Sequence, residues 1–94
     1  MENQLDSASY FYKLALILST GRNDSIAIPY ALNHLAGVAL LKESYPAAKD
    51  YFDQAFRIRN ARKEAHGILE NTIYYGDYFS AVSQADSAVL YYNS

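Results

Sequence analysis

The chain has 94 residues, room for one small domain, and its apolar content of 51% excludes a disordered segment. A net charge of −2 leaves no global positive field for nucleic acid or anionic lipid. The absence of cysteine excludes disulfides, thiolate catalysis and Cys-based zinc sites.

Alanine, leucine and tyrosine dominate over four glycines and two prolines, which suits packed helices better than sheets. The spacing predicts a first helix over about 6–20, on the stripe Leu5, Ala8, Phe11, Tyr12, Ala15, Leu16 and Leu18. Gly21 stands where a C-terminal cap belongs, and Arg22-Asn23-Asp24 reads as a loop. Asp24 or Ser25 can cap the second helix, with Pro29 in its first turn; a helix beginning only at Pro29 is the alternative. This second helix is expected to reach about Lys42 on Ile28, Leu32, Leu35, Ala36 and Ala39.

Glu43-Ser44 reads as a tight turn, with Ser44 as cap and Pro46 in the first turn of the third helix. The third stripe is Tyr45, Ala48, Phe52, Ala55 and Phe56. Asn60 is the weakest break in the chain. A fourth helix is expected over about 61–75, on Ala65, Ile68, Leu69 and Thr72. Gly76-Asp77 then reads as the clearest turn, with Gly ending one helix and Asp capping a fifth over about 78–92, on Ala81, Ala85, Ala88 and Val89. The short links imply antiparallel neighbours. Alanines at contact positions facing Tyr45, Phe52, Phe56 and Tyr78 imply interdigitated layers.

Leu35, Ala36, Ala39, Glu43, Tyr45, Ala48, Phe52 and Ala55-Phe56 recur in part as Ile68, Leu69, Thr72, Gly76, Tyr78, Ala81, Ala85 and Ala88-Val89. Leu5, Ala8, Tyr12 and Ala15-Leu16 match only the second half. This pattern resembles the tetratricopeptide repeat, a helix–turn–helix unit of about 34 residues. The anchors Ala8, Ala48 and Ala81 are spaced 40 and then 33 residues apart, and the longer step is similar to a variant common in bacterial signalling and regulatory proteins. The resemblance implies an all-α, right-handed α-α superhelix of about five helices in a single domain. The second helix of unit one falls at about 5–20, unit two at about 25–59 and unit three at about 61–92. Thr72 and Ala85 depart from the pattern where larger apolar residues are usual, so unit three is expected to pack more loosely. The chain opens in mid-unit and ends on Val89-Leu90-Tyr91-Tyr92, so a fragment of a longer array is expected, with self-association through the terminal helices as the alternative.

In the resembled family the first helix of each unit lines a concave groove. Carried over by position, that face is Tyr30, Asn33, Gly37, Leu40 and Leu41 from unit two, and Lys63, His66, Glu70, Ile73 and Tyr74 from unit three. A short helix or extended peptide is the expected guest. The family's carboxylate clamp for chaperone tails is not reproduced: only Lys63 is basic among Asn33, His34, Gly37, Lys63 and Gly67.

Catalysis finds little in the chain. No Ser-His-Asp order, Gly-rich phosphate loop or zinc-protease motif is present, so neither enzyme activity nor a cofactor is expected. His34 and His66 are the only histidines, and a metal would need a carboxylate such as Glu70 beside them. Arg57, Arg59, Arg62 and Lys63 read as cations around a helix end rather than a nucleic-acid surface. Of the adjacent tyrosine pairs Tyr74-Tyr75 and Tyr91-Tyr92, one member each is expected to be partly exposed. No apolar run approaches the roughly 20 residues that a membrane span needs. The expected compartment is the cytoplasm, with a periplasmic sensor segment of a membrane protein as the alternative.

Overall fold

Four α-helices account for the helical periodicity: α1 (Glu2–Gly21), α2 (Ala27–Leu41), α3 (Tyr45–Ala61) and α4 (Ala65–Asn93). In this computed structural model the backbone is described for residues 2–93 and the side chains for residues 4–85. Among the described residues there is no strand. Consecutive helices pack on one another, and α2 also touches α4.

α2 is the central element, for a reason visible in its composition. From Ala27 to Leu41 it carries no Asp, Glu, Lys or Arg, which suits a helix that α1, α3 and α4 all contact. Ala31, Leu32, Leu35, Ala36, Val38 and Ala39 are buried. The layer between α2, α3 and α4 consists of Ala36, Ala39, Ala48, Phe52 and Tyr78, flanked by Tyr45, Tyr51, Tyr75 and Val82. Small residues on α2 facing large rings on α3 and α4 let the backbones approach without leaving voids.

The three turns share one geometry. Asn23, Glu43 and Lys63, each twenty residues from the next, take left-handed φ values of 54°, 60° and 54°. The following N–H reaches back to the carbonyl five residues earlier: Asp24 to Ser19, Ser44 to Ala39 and Glu64 to Arg59. The left-handed residue's own N–H donates to the carbonyl three residues earlier, completing a Schellman motif at each site. Gly21 therefore does not occupy the special position expected of it; Asn23 does. Asp24 caps as expected, its Oδ1 accepting from the N–H groups of Ile26 (3.1 Å) and Ala27 (3.0 Å). The Ala27 bond, followed by the Ile26 bond, holds the Asp24 carboxyl below its ordinary range. Ser44 stands at the N-cap position of α3, but its hydroxyl makes no capping bond.

The main difference from expectation is at Gly76-Asp77. No turn forms there, and α4 runs through both residues, giving four helices in place of five. A glycine inside a helix costs about 1 kcal/mol relative to alanine. Here that is outweighed by one unbroken apolar stripe, in which Tyr74, Tyr75, Tyr78 and Val82 all pack against the α2–α3 layer. Ala48 and Ala81 accordingly differ in setting: Ala48 is fully buried just after a turn, and Ala81 is half-buried inside α4. The break expected at Asn60 falls at 62–64 instead.

α4 is also rotated from its expected face. Ala65, Leu69 and Thr72 are exposed, and the inward positions are Gly67, Asn71, Tyr74, Tyr75 and Tyr78. An asparagine occupies a core position, so counting apolar residues turned the helix away from its true face. In α1 the inward residues are Leu5, Ala8, Tyr12, Leu16 and Ser19, while Phe11, Ala15 and Leu18 face outward. The expected stripes of α2 and α3 hold, with only the half-buried Ile28, Tyr45 and Phe56 less than fully covered. The expectations for Ala88, Val89, Leu90, Tyr91 and Tyr92 lie outside the residues whose side chains are described.

Candidate functional site

A cleft of about 450 Å³ opens over α2, with α1 as one wall and α4 as the other. Leu5, Ala8 and Tyr12 come from α1; Asn33, His34, Gly37, Val38, Leu40 and Leu41 from α2. Phe52 of α3 reaches into it, and Tyr74 and Asp77 close the α4 side. Asp77 is the only carboxylate in this lining, which holds no Lys or Arg. The cleft exists because α1 and α4 both lean on α2 and make no close backbone contact with each other. Gly37 deepens the floor: a Cβ there would meet nothing within 4 Å.

The walls are aromatic. The His34 ring stacks on Tyr12 at a centroid distance of 4.6 Å with an interplanar angle of 9°, and the Tyr30 ring lies 4.3 Å from it, tilted by 60°. Phe52 stacks on Tyr74 at 5.6 Å. The Tyr74 hydroxyl donates to Glu70 Oε1 at 3.2 Å. Burial, and then the charge of Glu70, push the Tyr74 phenol above its ordinary pKa, so it stays a neutral donor.

Behind the cleft lies a buried polar network that ties three helices together. Asn33 and Asn71 exchange a reciprocal pair of amide hydrogen bonds at 3.1 and 3.0 Å. Asn71 is completely buried and also faces the Phe52 carbonyl at 3.5 Å. Arg59, only 7% exposed, brings Nη1 within 2.9 Å of Asn71 Oδ1, 3.1 Å of Glu70 Oε1 and 3.2 Å of the Gly67 carbonyl. Gly67 is required by this arrangement, since a Cβ there would lie 2.8 Å from Arg59 Cδ. Among the described residues no buried side-chain nitrogen or oxygen lacks a partner, which is what allows such a network inside a small core.

The structure brings together five of the ten residues expected on the concave face: Asn33, Gly37, Leu40, Leu41 and Tyr74. The amide of Asn33 is committed to Asn71, so it supports the floor more than it offers itself to a guest. Tyr30 lies at a neighbouring depression with Asp24, Ile26, Ala27, Arg59 and Glu64. Lys63 holds the left-handed turn position, and His66 and Ile73 lie exposed on α4 away from the cleft. Glu70 is engaged by Arg59 and Tyr74. The residues missed are Leu5, Ala8, Tyr12, His34, Val38, Phe52 and Asp77. Only the α1 stripe pointed to three of them, and it reads equally well as pure packing.

The basic run is dispersed. Arg59 is in the core, while Arg62 bonds the Ser25 hydroxyl at 2.6 Å and pairs with Glu64 at 3.5 Å. Both Tyr74 and Tyr75 are half-buried, because they straddle α3: Tyr75 rests on Phe52 and Phe56 and donates to Asp53 at 2.6 Å. Among the described residues no three His, Cys, Asp or Glu side chains form a cluster able to hold a metal ion. None of the described helices is long and apolar enough to cross a membrane. No family model matches the chain, and no match to it is found among curated proteins or solved structures.

Proposed function

We propose that the chain is a non-catalytic protein-interaction module, a scaffold that is tetratricopeptide-like through α1–α3 and seats a short helix or extended peptide in the cleft between α1 and α4. The observation that carries this reading is the lining: a cleft of about 450 Å³ built from all four helices, mostly apolar and aromatic, with Asp77 as its one carboxylate. Such a surface takes apolar side chains by burial and orients them with few polar groups. Asp77, with no cation in the lining, favours a guest that carries a lysine or arginine beside its apolar anchors. A place within a bacterial signalling or regulatory protein accords with the 40-residue step between Ala8 and Ala48.

The test is selection of random displayed peptides on the folded chain. The expected result is enrichment of apolar peptides with one basic residue. Their binding should be lost in Gly37→Leu, which fills the floor, and weakened about tenfold in Asp77→Asn. Circular dichroism should confirm that both variants stay folded. Selected peptides that bind Gly37→Leu as tightly as the parent would refute the cleft as the site.

A further inference from the structure

Among the described residues the outer face of α1 has no partner, and its sequence is built like a buried one. From Ser7 to Gly21 the helix carries a single charge, Lys13, although one whole side faces away from α2. Tyr10, Phe11, Leu14, Ile17 and Leu18 are 42–67% exposed and form one continuous stripe opposite the packed face. A solvent-facing surface helix normally places charges there, and a helix apolar on both sides is covered on both sides. Together these five residues leave on the order of 500 Å² of mostly apolar surface open, as much as the largest patch on a typical monomer, and the flanking residues of α1 would have to join it to reach the roughly 800 Å² per partner of a standard interface.

The stripe is also symmetric about its centre. Large apolar residues stand three and four positions before Leu14 (Phe11, Tyr10) and three and four positions after it (Ile17, Leu18). A palindromic stripe on a straight helix is complementary to itself when two copies run antiparallel, which is the condition for an isologous twofold interface. We propose that the occupant of this face is a second copy of the chain. Two α1 helices cross antiparallel with Leu14 against Leu14 at the axis, and Tyr10-Phe11 of each copy lies over Ile17-Leu18 of the other. Lys13 sits on the flank of this contact, where it stays in water. The inference is independent of the cleft, which uses the opposite residues Leu5, Ala8 and Tyr12 of the same helix.

The chain has no cysteine, so single cysteines report the geometry without background. Sedimentation equilibrium of the full chain should show a dimer, and Leu14→Glu, which places two carboxylates at the axis, should raise its dissociation constant at least a hundredfold. Leu69→Glu, at an exposed apolar site on α4, should leave it unchanged. Under mild oxidation Leu14→Cys should cross-link to its own copy. Tyr10→Cys alone should not, because the antiparallel register holds the two positions about 12 Å apart along the axis. Mixing it with Leu18→Cys should restore the bond. A strictly monomeric chain at high concentration overturns the proposal, and so does self-cross-linking of Tyr10→Cys, which requires parallel helices.

Discussion

Gly67 and Gly76 lie nine residues apart in α4, and replacing each with alanine should move stability in opposite directions. At Gly76 the backbone is helical and exposed, and an added Cβ meets nothing within 4 Å. The gain is then the helix-propensity difference alone, about 0.5–1 kcal/mol. At Gly67 the same propensity gain is offset by a Cβ placed 2.8 Å from Arg59 Cδ and 3.1 Å from Arg59 Nε. Arg59 is held by its bonds to Asn71, Glu70 and the Gly67 carbonyl, so it yields only by loosening them. Overpacking of this kind costs about 1–3 kcal/mol, which after the propensity gain leaves Gly67→Ala about 0–2.5 kcal/mol less stable than the parent. Urea unfolding followed by far-ultraviolet circular dichroism, at one fixed protein concentration, resolves the contrast. With a slope of roughly 1–2 kcal/mol per molar, each kcal/mol shifts the midpoint by about 0.5–1 M. Destabilisation by Gly76→Ala would refute the reasoning, because it would require a turn with positive φ at residue 76 and a broken α4.

The other outcomes follow from the turns, the polar network and one tyrosine hydrogen-bonded to a carboxylate. Glu43→Gly and Lys63→Gly should each stabilise by about 0.5–1 kcal/mol in the same unfolding assay, since both residues hold left-handed φ on exposed turns; Asn23→Gly should gain less, because asparagine tolerates that region. Arg59→Met should cost about 2–3 kcal/mol, and a double-mutant cycle of Asn33→Ala with Asn71→Ala should show coupling of about 0.5–3 kcal/mol, in contrast to the additivity of unconnected sites. Burial acts to raise the Asp53 pKa, but the hydrogen bonds from Tyr75 and Lys49 outweigh it and hold the carboxyl below its ordinary range. Asp53 therefore contributes stability that is present above about pH 4 and is lost as pH falls through the depressed value. Burial, then the Asp53 bond, raises the Tyr75 phenol above 10, so its contribution is present below about pH 10 and is lost as pH climbs further. Tyr75→Phe should cost about 1 kcal/mol at neutral pH and flatten both slopes in a pH series of urea midpoints.

Legibility in the sequence was uneven, and the differences have physical causes. The α2 and α3 stripes were readable because their inward positions are nearly all apolar, so period and burial coincide. The inward face of α4 was not, because Gly67 and Asn71 stand where aliphatic residues were sought. Asn71 is acceptable in the core only because Asn33, 38 residues away, and Arg59, 12 residues away, satisfy its amide, and local periodicity does not register partners at that range. Gly76-Asp77 carries the residue types of a turn, yet the continuous contact of Tyr74, Tyr75, Tyr78 and Val82 with the α2–α3 layer outweighs the local preference. Half of the expected groove was located because α2 dominates it. The α1 wall was missed because a stripe on one helix does not reveal which neighbour will stand opposite.

The amino-acid order alone determined that this chain is helical, where α2 and α3 begin and end to within a few residues, and which stripes of those two helices face inward. These properties depend on hydrogen bonds and apolar spacing within one or two turns of chain. Packing decided the rest: the unbroken α4, the buried Arg59–Asn71–Asn33 network, the cleft between α1 and α4, and the outward turn of the Leu14 stripe. Each of these depends on which surfaces meet across tens of residues, and the free energy of that meeting is large enough to override a glycine, bury a charge or leave a helix face open.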